Sequence, residues 1–367
     1  MPVSIHPRVG DASEVSCRIC GKSSPLIAHW LRLCVECIRH EPERACRAAE
    51  EAHRASRKSF HLPVVPPRHE GWVPCPLCAQ ACRLDEGERG YCGLRTARGG
   101  RLVHLAGTAR RGLLHWYRDP LPTNCVADWV CTGTDKVGRH NLAVFYGSCT
   151  LNCLFCQNWH YREMVAAGKP LLSASELAAT ANEETYCVCF FGGDPASQMP
   201  HALAAAAEMA RRGVVVCWET AGTSHPRLLD RAVALSLATG GCIKFDLKAY
   251  DEILHIALTG TSNRRTLENF ARAAQRTRER PEPPLVVAST LLVPGYVDAD
   301  EVGCIARFIA SLDREIPYAL LAFAPQFHFA DLPRTSARHA REAEAAARAT
   351  GLSDVRIGNL HLLSNAY

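Results

Sequence analysis

The chain has 367 residues, 47% of them apolar and 22% charged, the balance of a globular protein and not of a disordered or fibrous one. Its net charge of +5 is a small excess for that length and gives no basis for nucleic acid or an anionic membrane as partner. Nineteen cysteines, with no apolar leader in the first twenty residues and no apolar run of membrane-spanning length, predict a cytoplasmic protein whose thiols are metal ligands or reduced core residues, not disulfides.

Residues 1–61 are charged and carry Cys17-x2-Cys20 and Cys34-x2-Cys37, two pairs separated by thirteen residues, with Gly21 placed for a knuckle turn. Two tight pairs converge readily on one tetrahedral ion, so the spacing predicts a small zinc-ribbon-like module with a docking or folding role; reduced thiols or a second iron–sulfur cluster are the alternatives. EPERACRAAEEAHRASRKS then reads as a polar helix in which Cys46 stands alone, and HLPVVPPRHEGWVP as a proline-rich linker.

Residues 62–140 form a cysteine-containing lead-in layer of short strand-like runs such as RLVHLAG. Cys75, Cys78, Cys82 and Cys92 make a four-ligand set for either zinc or an auxiliary cluster, and the spacing does not choose between them. DPLPTNCVADWVC adds Cys125 and Cys131, read either as shaping a substrate entrance or as two buried thiols.

From residue 141 to 367 the pattern is regular. LAVFYG, CVCFFGG, VVVCWET, IKFDLK, LVVASTLLVPG and YALLAF alternate with alanine-rich amphipathic stretches, predicting an α/β fold with a parallel sheet covered by helices, a (βα)6 partial barrel; VRIGN is a candidate seventh strand. Ser173 with Glu176 has capping-box spacing, and Asp298 heads the helix after PGY. In such a barrel the chemistry belongs at the C-terminal ends of the strands. Cys187, Cys189, Cys217, Cys242 and Cys304, within strands or helices, read as small core residues, while His160 and His328 are the histidines placed to face a substrate.

That edge opens with CTLNCLFCQN directly after the first strand. Cys149, Cys153 and Cys156 can hold three irons of a [4Fe-4S] cluster and leave the fourth open to another ligand; a loop of buried or zinc-binding thiols is the bland alternative. Phe155 precedes the third cysteine, Asn158 follows it, and FFGGDP ends the second strand. This combination resembles the radical S-adenosylmethionine (SAM) superfamily. WETAG and FDLKAYDEILHIALTGTSNRRTLEN resemble segments of the pyruvate formate-lyase activating enzyme branch, and CPLCAQACRLDEGERGYCGLR is similar to the upstream segment of AmmeMemoRadiSam-system radical SAM enzymes.

The resemblance implies a TIM-like partial barrel in which the cluster binds SAM and one electron from a low-potential donor, flavodoxin or ferredoxin, generates a 5'-deoxyadenosyl radical for hydrogen abstraction. It further implies that Gly192, Gly193, Asp194 and Pro195 hold SAM by its amino group; Asp194 replaces a more usual glutamate, which is tolerable because backbone and not carboxylate is expected to make the contact. Glu219, Thr220, Asp246 and Lys248 would line the pocket, with a monovalent cation there as an option, and LLVPGY would supply the adenine side. The substrate is open: a small molecule or a protein, or, as an alternative, a glycyl-radical enzyme that this chain activates. A non-catalytic metal-binding adaptor is the reading from another class, and intact Cys149, Cys153, Cys156, Gly192 and Gly193 count against it.

Overall fold

Apolar runs that alternate with helices form parallel strands because each helix returns the chain to the same end of the sheet. The computed structural model describes residues 14–70, 72–123 and 125–367. Its main sheet has nine strands: β1 (Gly112–Pro120), β2 (His140–Tyr146), β3 (Leu171–Leu172), β4 (Thr185–Gly192), β5 (Val215–Thr220), β6 (Ile243–Asp246), β7 (Val286–Leu292), β8 (Tyr318–Ala322) and β9 (Val355–Gly358). The order is β9-β8-β7-β6-β5-β4-β2-β1-β3, with β2 and β4 to β9 all parallel and β1 antiparallel to both β2 and β3. The end strands β9 and β3 do not pair, so the barrel is partial.

The six expected strands are present, and VRIGN provides the seventh parallel one as β9. A difference lies in β1, which belongs to the lead-in stretch yet pairs along its length with β2. Its sequence, GLLHWYRDP, mixes aromatic and charged residues because its outer half is exposed near the sheet edge, so it lacks the continuous apolar run that marks the central strands.

The helices are α1 (Val35–His40), α2 (Pro42–Lys58), α3 (Tyr161–Ala167), α4 (Ala174–Ala179), α5 (Met199–Arg211), α6 (Pro226–Thr239), α7 (Glu252–Thr259), α8 (Arg264–Ala274), α9 (Ala299–Leu312) and α10 (Ala337–Arg348). Ser173 and Glu176 form a capping box on α4, and Asp298 caps α9 by accepting from Glu301 N at 2.9 Å. Among the described residues no helix is long and apolar enough to cross a membrane.

The cysteine-bearing N-terminal segment shares the core of the barrel. Ala28, Leu31, Leu33 and Ile38, with Ala45, Ala48 and Ala49 of α2, are continuous with the core under the strands. Thus α2 is polar on one side only; its alanine stripe lies against α7. Three polar ties fix the docking: Ala28 N donates to Tyr296 Oη at 3.0 Å, His29 N to Asp331 Oδ2 at 2.7 Å, and the Arg39 guanidinium to both Asp298 oxygens at 2.9 and 2.8 Å. The PGY turn receives this segment: at Gly295, φ is 76° and a Cβ would come within 2.1 Å of Leu26 O. Backbone can approach backbone that closely only where a side chain is absent.

Ile38 is fully buried in this shared core. Ile38→Ala is expected to cost about 2–5 kcal/mol. In a denaturant melt the N-terminal segment and the barrel should unfold in one transition; separate early loss of the N-terminal helices would show that the core is not shared.

Candidate functional site

Cys149, Cys153 and Cys156 lie on the loop between β2 and α3, a stretch with no regular structure of its own. Other segments hold its backbone. Asn152 N and Leu154 N donate to Thr259 O and Leu258 O at the end of α7, at 2.8 and 3.0 Å. His328 N donates to Leu154 O at 3.0 Å, Gln80 Nε2 to Thr150 O at 2.6 Å, and Tyr161 Oη to Leu151 O at 3.2 Å. The Ser148 hydroxyl reaches Cys92 O at 2.8 Å.

The glycine pair sets the other wall. Gly193 N donates to Tyr146 O and Asp194 N to Ser148 O, at 2.9 and 2.8 Å, so the end of β4 lies on the start of the cysteine loop. A Cβ on Gly193 would sit 2.1 Å from Ser148 O. Asn158 Nδ2 donates to Gly192 O at 3.4 Å and closes the loop against the pair.

A cavity of about 210 Å³ opens at this strand edge, and its walls include Cys149, Cys153, Phe155, Cys156, Asn158, Gly192, Gly193, Asp194, Glu219, Thr220, Asp246 and Lys248. The structure therefore brings nearly every residue singled out for the pocket into one place. Pro195 is the exception: buried at the first turn after Asp194, it starts the short helix that leads into α5.

Several of these side chains already have partners. Asp194 is buried; its Oδ1 accepts from Ala196 N at 2.6 Å and Thr220 Oγ1 at 3.0 Å, and its Oδ2 from Ala221 N at 2.7 Å. Burial pushes its carboxyl up, against the pull of those hydrogen bonds. The carboxylate thus joins the ends of β4 and β5, and what faces the cavity from GGDP is chiefly backbone. Asp246 is ion-paired with Lys248, and the Lys248 ammonium lies 5.6 Å from the centre of the Phe155 ring. Glu219 is paired with Lys244 at 2.9 Å.

Sequence reasoning missed Lys244, whose ammonium is almost wholly buried on β6 and also donates to the sulfurs of Cys125 at 3.0 Å and Cys189 at 3.2 Å. A charged residue immediately before FDLK was the available signal. Below it, toward the N-terminal ends of the strands, a second cavity is lined by Cys125, Cys131, Cys187, Cys189, Cys217 and Cys242 among others. The Cys125–Cys131 stretch therefore lines the barrel floor instead of an entrance at the catalytic edge, although Val126 reaches the upper cavity. Half-buried Cys304 lies apart on α9.

Neither singled-out histidine lines the upper cavity. His160 is exposed and stacked on Trp159, and His328 is stacked on Trp30 at 3.7 Å with Nε2 2.9 Å from Ser56 Oγ, where burial brings it down to about 3. Of LLVPGY, Leu291 faces the cavity while Gly295 and Tyr296 hold the N-terminal segment.

The three cysteine sets differ in spacing. The sulfurs of Cys17, Cys20, Cys34 and Cys37 all lie within 4.8 Å of one another, and Cys20 and Cys34 are 3.8 Å apart. Zinc–sulfur bonds of about 2.3 Å imply a tetrahedron edge of about 3.8 Å, so this set fits one zinc ion. Among the described residues no other group of three or more such ligands is drawn so close. Cys149, Cys153 and Cys156 are spread more widely, as a multi-iron cluster requires of its ligands. Cys75, Cys78, Cys82 and Cys92 are not gathered for a single ion either, although Cys75 and Cys82 face one another across a short ribbon, Cys75 N donating to Cys82 O at 2.8 Å, and Tyr91 N points at the Cys82 sulfur at 3.4 Å.

An orphaned cation completes the fit. Arg162, fully buried at the start of α3, lies beside Cys156 and near Cys149; its Nη2 donates to Asn152 Oδ1 at 3.0 Å, while Nε and Nη1 have no partner. Unpaired buried guanidinium N–H groups are costly unless an anionic acceptor occupies the adjoining space, and a thiolate-held iron–sulfur cluster is such an acceptor.

With that geometry, residues 143–306 match the model of the Radical SAM superfamily. The relatives it is similar to are named as activating enzymes. The isethionate sulfite-lyase activating enzyme of Oleidesulfovibrio alaskensis is 34% identical over 133 residues, which cover 36% of this chain and 40% of that protein. The enzyme of the same name from Nitratidesulfovibrio vulgaris is 35% identical over 146 residues, covering 38% and 44%. The match thus spans under half the length of these relatives. A solved domain of a pyruvate-formate lyase-activating enzyme from Bacteroides vulgatus superposes with a TM-score of 0.40 at 19% identity, covering 47% of this chain and 99% of that one, too low to carry weight.

Gly193→Ala must push the Ser148 carbonyl aside. The expected result is a folded protein that retains less than half of the wild-type iron after anaerobic reconstitution, by metal analysis. Wild-type iron and an unchanged cluster absorbance would mean that the close approach of β4 to the loop does not shape the site.

Proposed function

We propose that the protein holds a [4Fe-4S] cluster on Cys149, Cys153 and Cys156 and reductively cleaves SAM for hydrogen abstraction from a substrate not yet identified. The observation that carries this reading is the single cavity in which the three loop cysteines, the Gly192–Gly193 backbone and the Asp246–Lys248 pair meet. When bound, the cluster supplies one electron to the sulfonium of SAM and so yields a 5'-deoxyadenosyl radical.

The protein's own part is binding, orientation and exclusion of water. The carbonyls of Gly192 and Gly193 stand free of side chains and suit an ammonium group, and Thr220, Ser289 and Leu291 line the region for the nucleoside. Lys248 faces Cys153, whose thiolate its charge favours although burial pushes that thiol up to about 12. Lys244 and Glu219 close the bottom of the cavity as a neutralised pair. Cys17, Cys20, Cys34 and Cys37 hold a structural zinc ion in this proposal, and the wider set Cys75, Cys78, Cys82 and Cys92 suits an auxiliary cluster better than one ion. The electron comes from a low-potential donor such as flavodoxin or ferredoxin.

A second reading, activation of a glycyl-radical enzyme, is favoured by the relatives, both of which are named as activating enzymes. Under it the substrate is a partner protein's glycine.

Two measurements test the proposal. Anaerobic reconstitution with iron and sulfide, then dithionite and SAM, should yield 5'-deoxyadenosine on chromatography, and Cys149→Ala, Cys153→Ala and Cys156→Ala combined should abolish both the product and the brown absorbance. A loaded, reduced protein that binds SAM but yields no product with any co-purified partner would count against the chemistry. For the zinc site, Cys37→Ser should lower zinc from about one equivalent to under a fifth; wild-type zinc in that variant would remove this set from the assignment.

A further inference from the structure

The buried guanidinium beside the cysteine loop has an unusual set of neighbours. Arg162 has no solvent exposure, and no carboxylate among the described residues lies within 4.0 Å of it. Its one polar partner is the neutral Asn152, whose Nδ2 in turn donates to His53 Nδ1 at 3.0 Å. His53 Nε2 lies 3.1 Å from both Ile256 O and Ala257 O, and carbonyls accept only, so Nε2 carries the proton and Nδ1 accepts. The chain Arg162–Asn152–His53 therefore brings no negative charge to the guanidinium. Aromatic faces fill most of the remaining contact: the ring centres of Tyr161 and Phe327 are 4.4 and 4.5 Å away, and that of Phe60 is 5.7 Å away.

A buried cation left uncompensated costs several kcal/mol. Of the groups that favour its charged form, Tyr161 keeps its hydroxyl proton, which it donates to Leu151 O at 3.2 Å, and the sulfurs of Cys156 and Cys149 remain to compensate it. A cluster held by three thiolates is anionic and becomes more so when it takes up an electron. The potential of such a centre is set by net charge, by hydrogen bonds to its sulfurs and by solvent exposure.

We propose, building on the cluster assignment above, that Arg162 is the potential-setting residue of this site: its charge and its two unpartnered N–H groups stabilise the thiolate-bound cluster, more strongly in the reduced state, and so raise the cluster's reduction potential. The redox step is a one-electron transfer in which the donor is oxidised and the cluster reduced, with no bond made or broken. Asn152 orients the guanidinium, and the position of α2, through His53, orients Asn152.

The test is an anaerobic potential titration followed by the electron paramagnetic resonance of the reduced cluster, on the full chain without SAM or substrate, so that activity plays no part. Arg162→Gln and Arg162→Met remove the charge; Arg162→Lys keeps it. In the two neutral variants the ratio of reduced to oxidised cluster at a fixed potential is expected to fall at least tenfold, equivalent to about 59 mV for one electron. In Arg162→Lys it should change less than threefold. Neutral variants that load iron and titrate like wild type would overturn the proposal.

Loss of iron from both neutral variants, with circular dichroism unchanged and Arg162→Lys still loaded, would support it, since charge alone separates the groups. Loss of iron or of fold in all three variants, Lys included, would assign Arg162 a packing role and overturn it. If wild type itself holds no cluster, the cluster assignment fails, and this proposal with it.

Discussion

A loop without secondary structure can present three ligands in a fixed arrangement only if other segments hold its backbone. The cysteine loop after β2 is held in this way from several directions: by the end of α7, by the start of the last loop at His328, by Gln80 from the lead-in ribbon, and by the backbone of β4 at Gly193 and Asp194. Each contact is a buried hydrogen bond whose loss would leave a polar group unpaired. The site is therefore a property of the whole barrel edge. This explains why Gln80 and His328, distant in sequence and both outside the cavity lining, sit where they do.

The charges follow from the same arrangement. The upper cavity is bounded by two ion pairs, Glu219–Lys244 and Asp246–Lys248, and by Asp194, whose carboxylate is fully engaged with backbone and hydroxyl donors. Those groups compensate one another. Arg162 stands outside that balance: it does not line the cavity, and its neighbours are neutral or aromatic. A fixed positive charge thus remains where thiolates gather, in a region nearly closed to water.

Much of this was legible in the sequence because strand ends carry short-range signals. The cysteine spacing, the glycine pair and FDLK each sit at the end of an apolar run, and the alternation of runs and helices tells which end that is. What was not legible depends on contacts between segments far apart in the chain. That the GGDP backbone and not the Asp194 carboxylate would face a ligand was expected, but the partners that hold this carboxylate, Ala221 N and Thr220, lie on the next strand and show only in the fold. His328 looks like a strand-end catalytic candidate until Trp30 is found stacked on it. Lys244 lies in a strand whose neighbours are apolar, and only the thiols and Glu219 across the barrel show why a charge is tolerated there. β1 escaped notice because an edge strand need not be apolar on both faces.

Helix α2 touches each part of this assembly. Its alanines pack with the N-terminal cysteine segment into the barrel core, its Arg57 stacks 3.4 Å over Tyr91 and bonds to that residue's carbonyl beside Cys92, and its His53 begins the chain to Asn152 in the cysteine loop. Asn152 of the cysteine loop has its partner His53 only where α2 is docked, and α2 follows directly on the segment that gathers Cys17, Cys20, Cys34 and Cys37. The order along the chain thus runs through the fold: the four thiols gathered within 4.8 Å of one another come first, then the helix whose His53 bonds to Asn152, then the cysteine loop that this helix helps to hold.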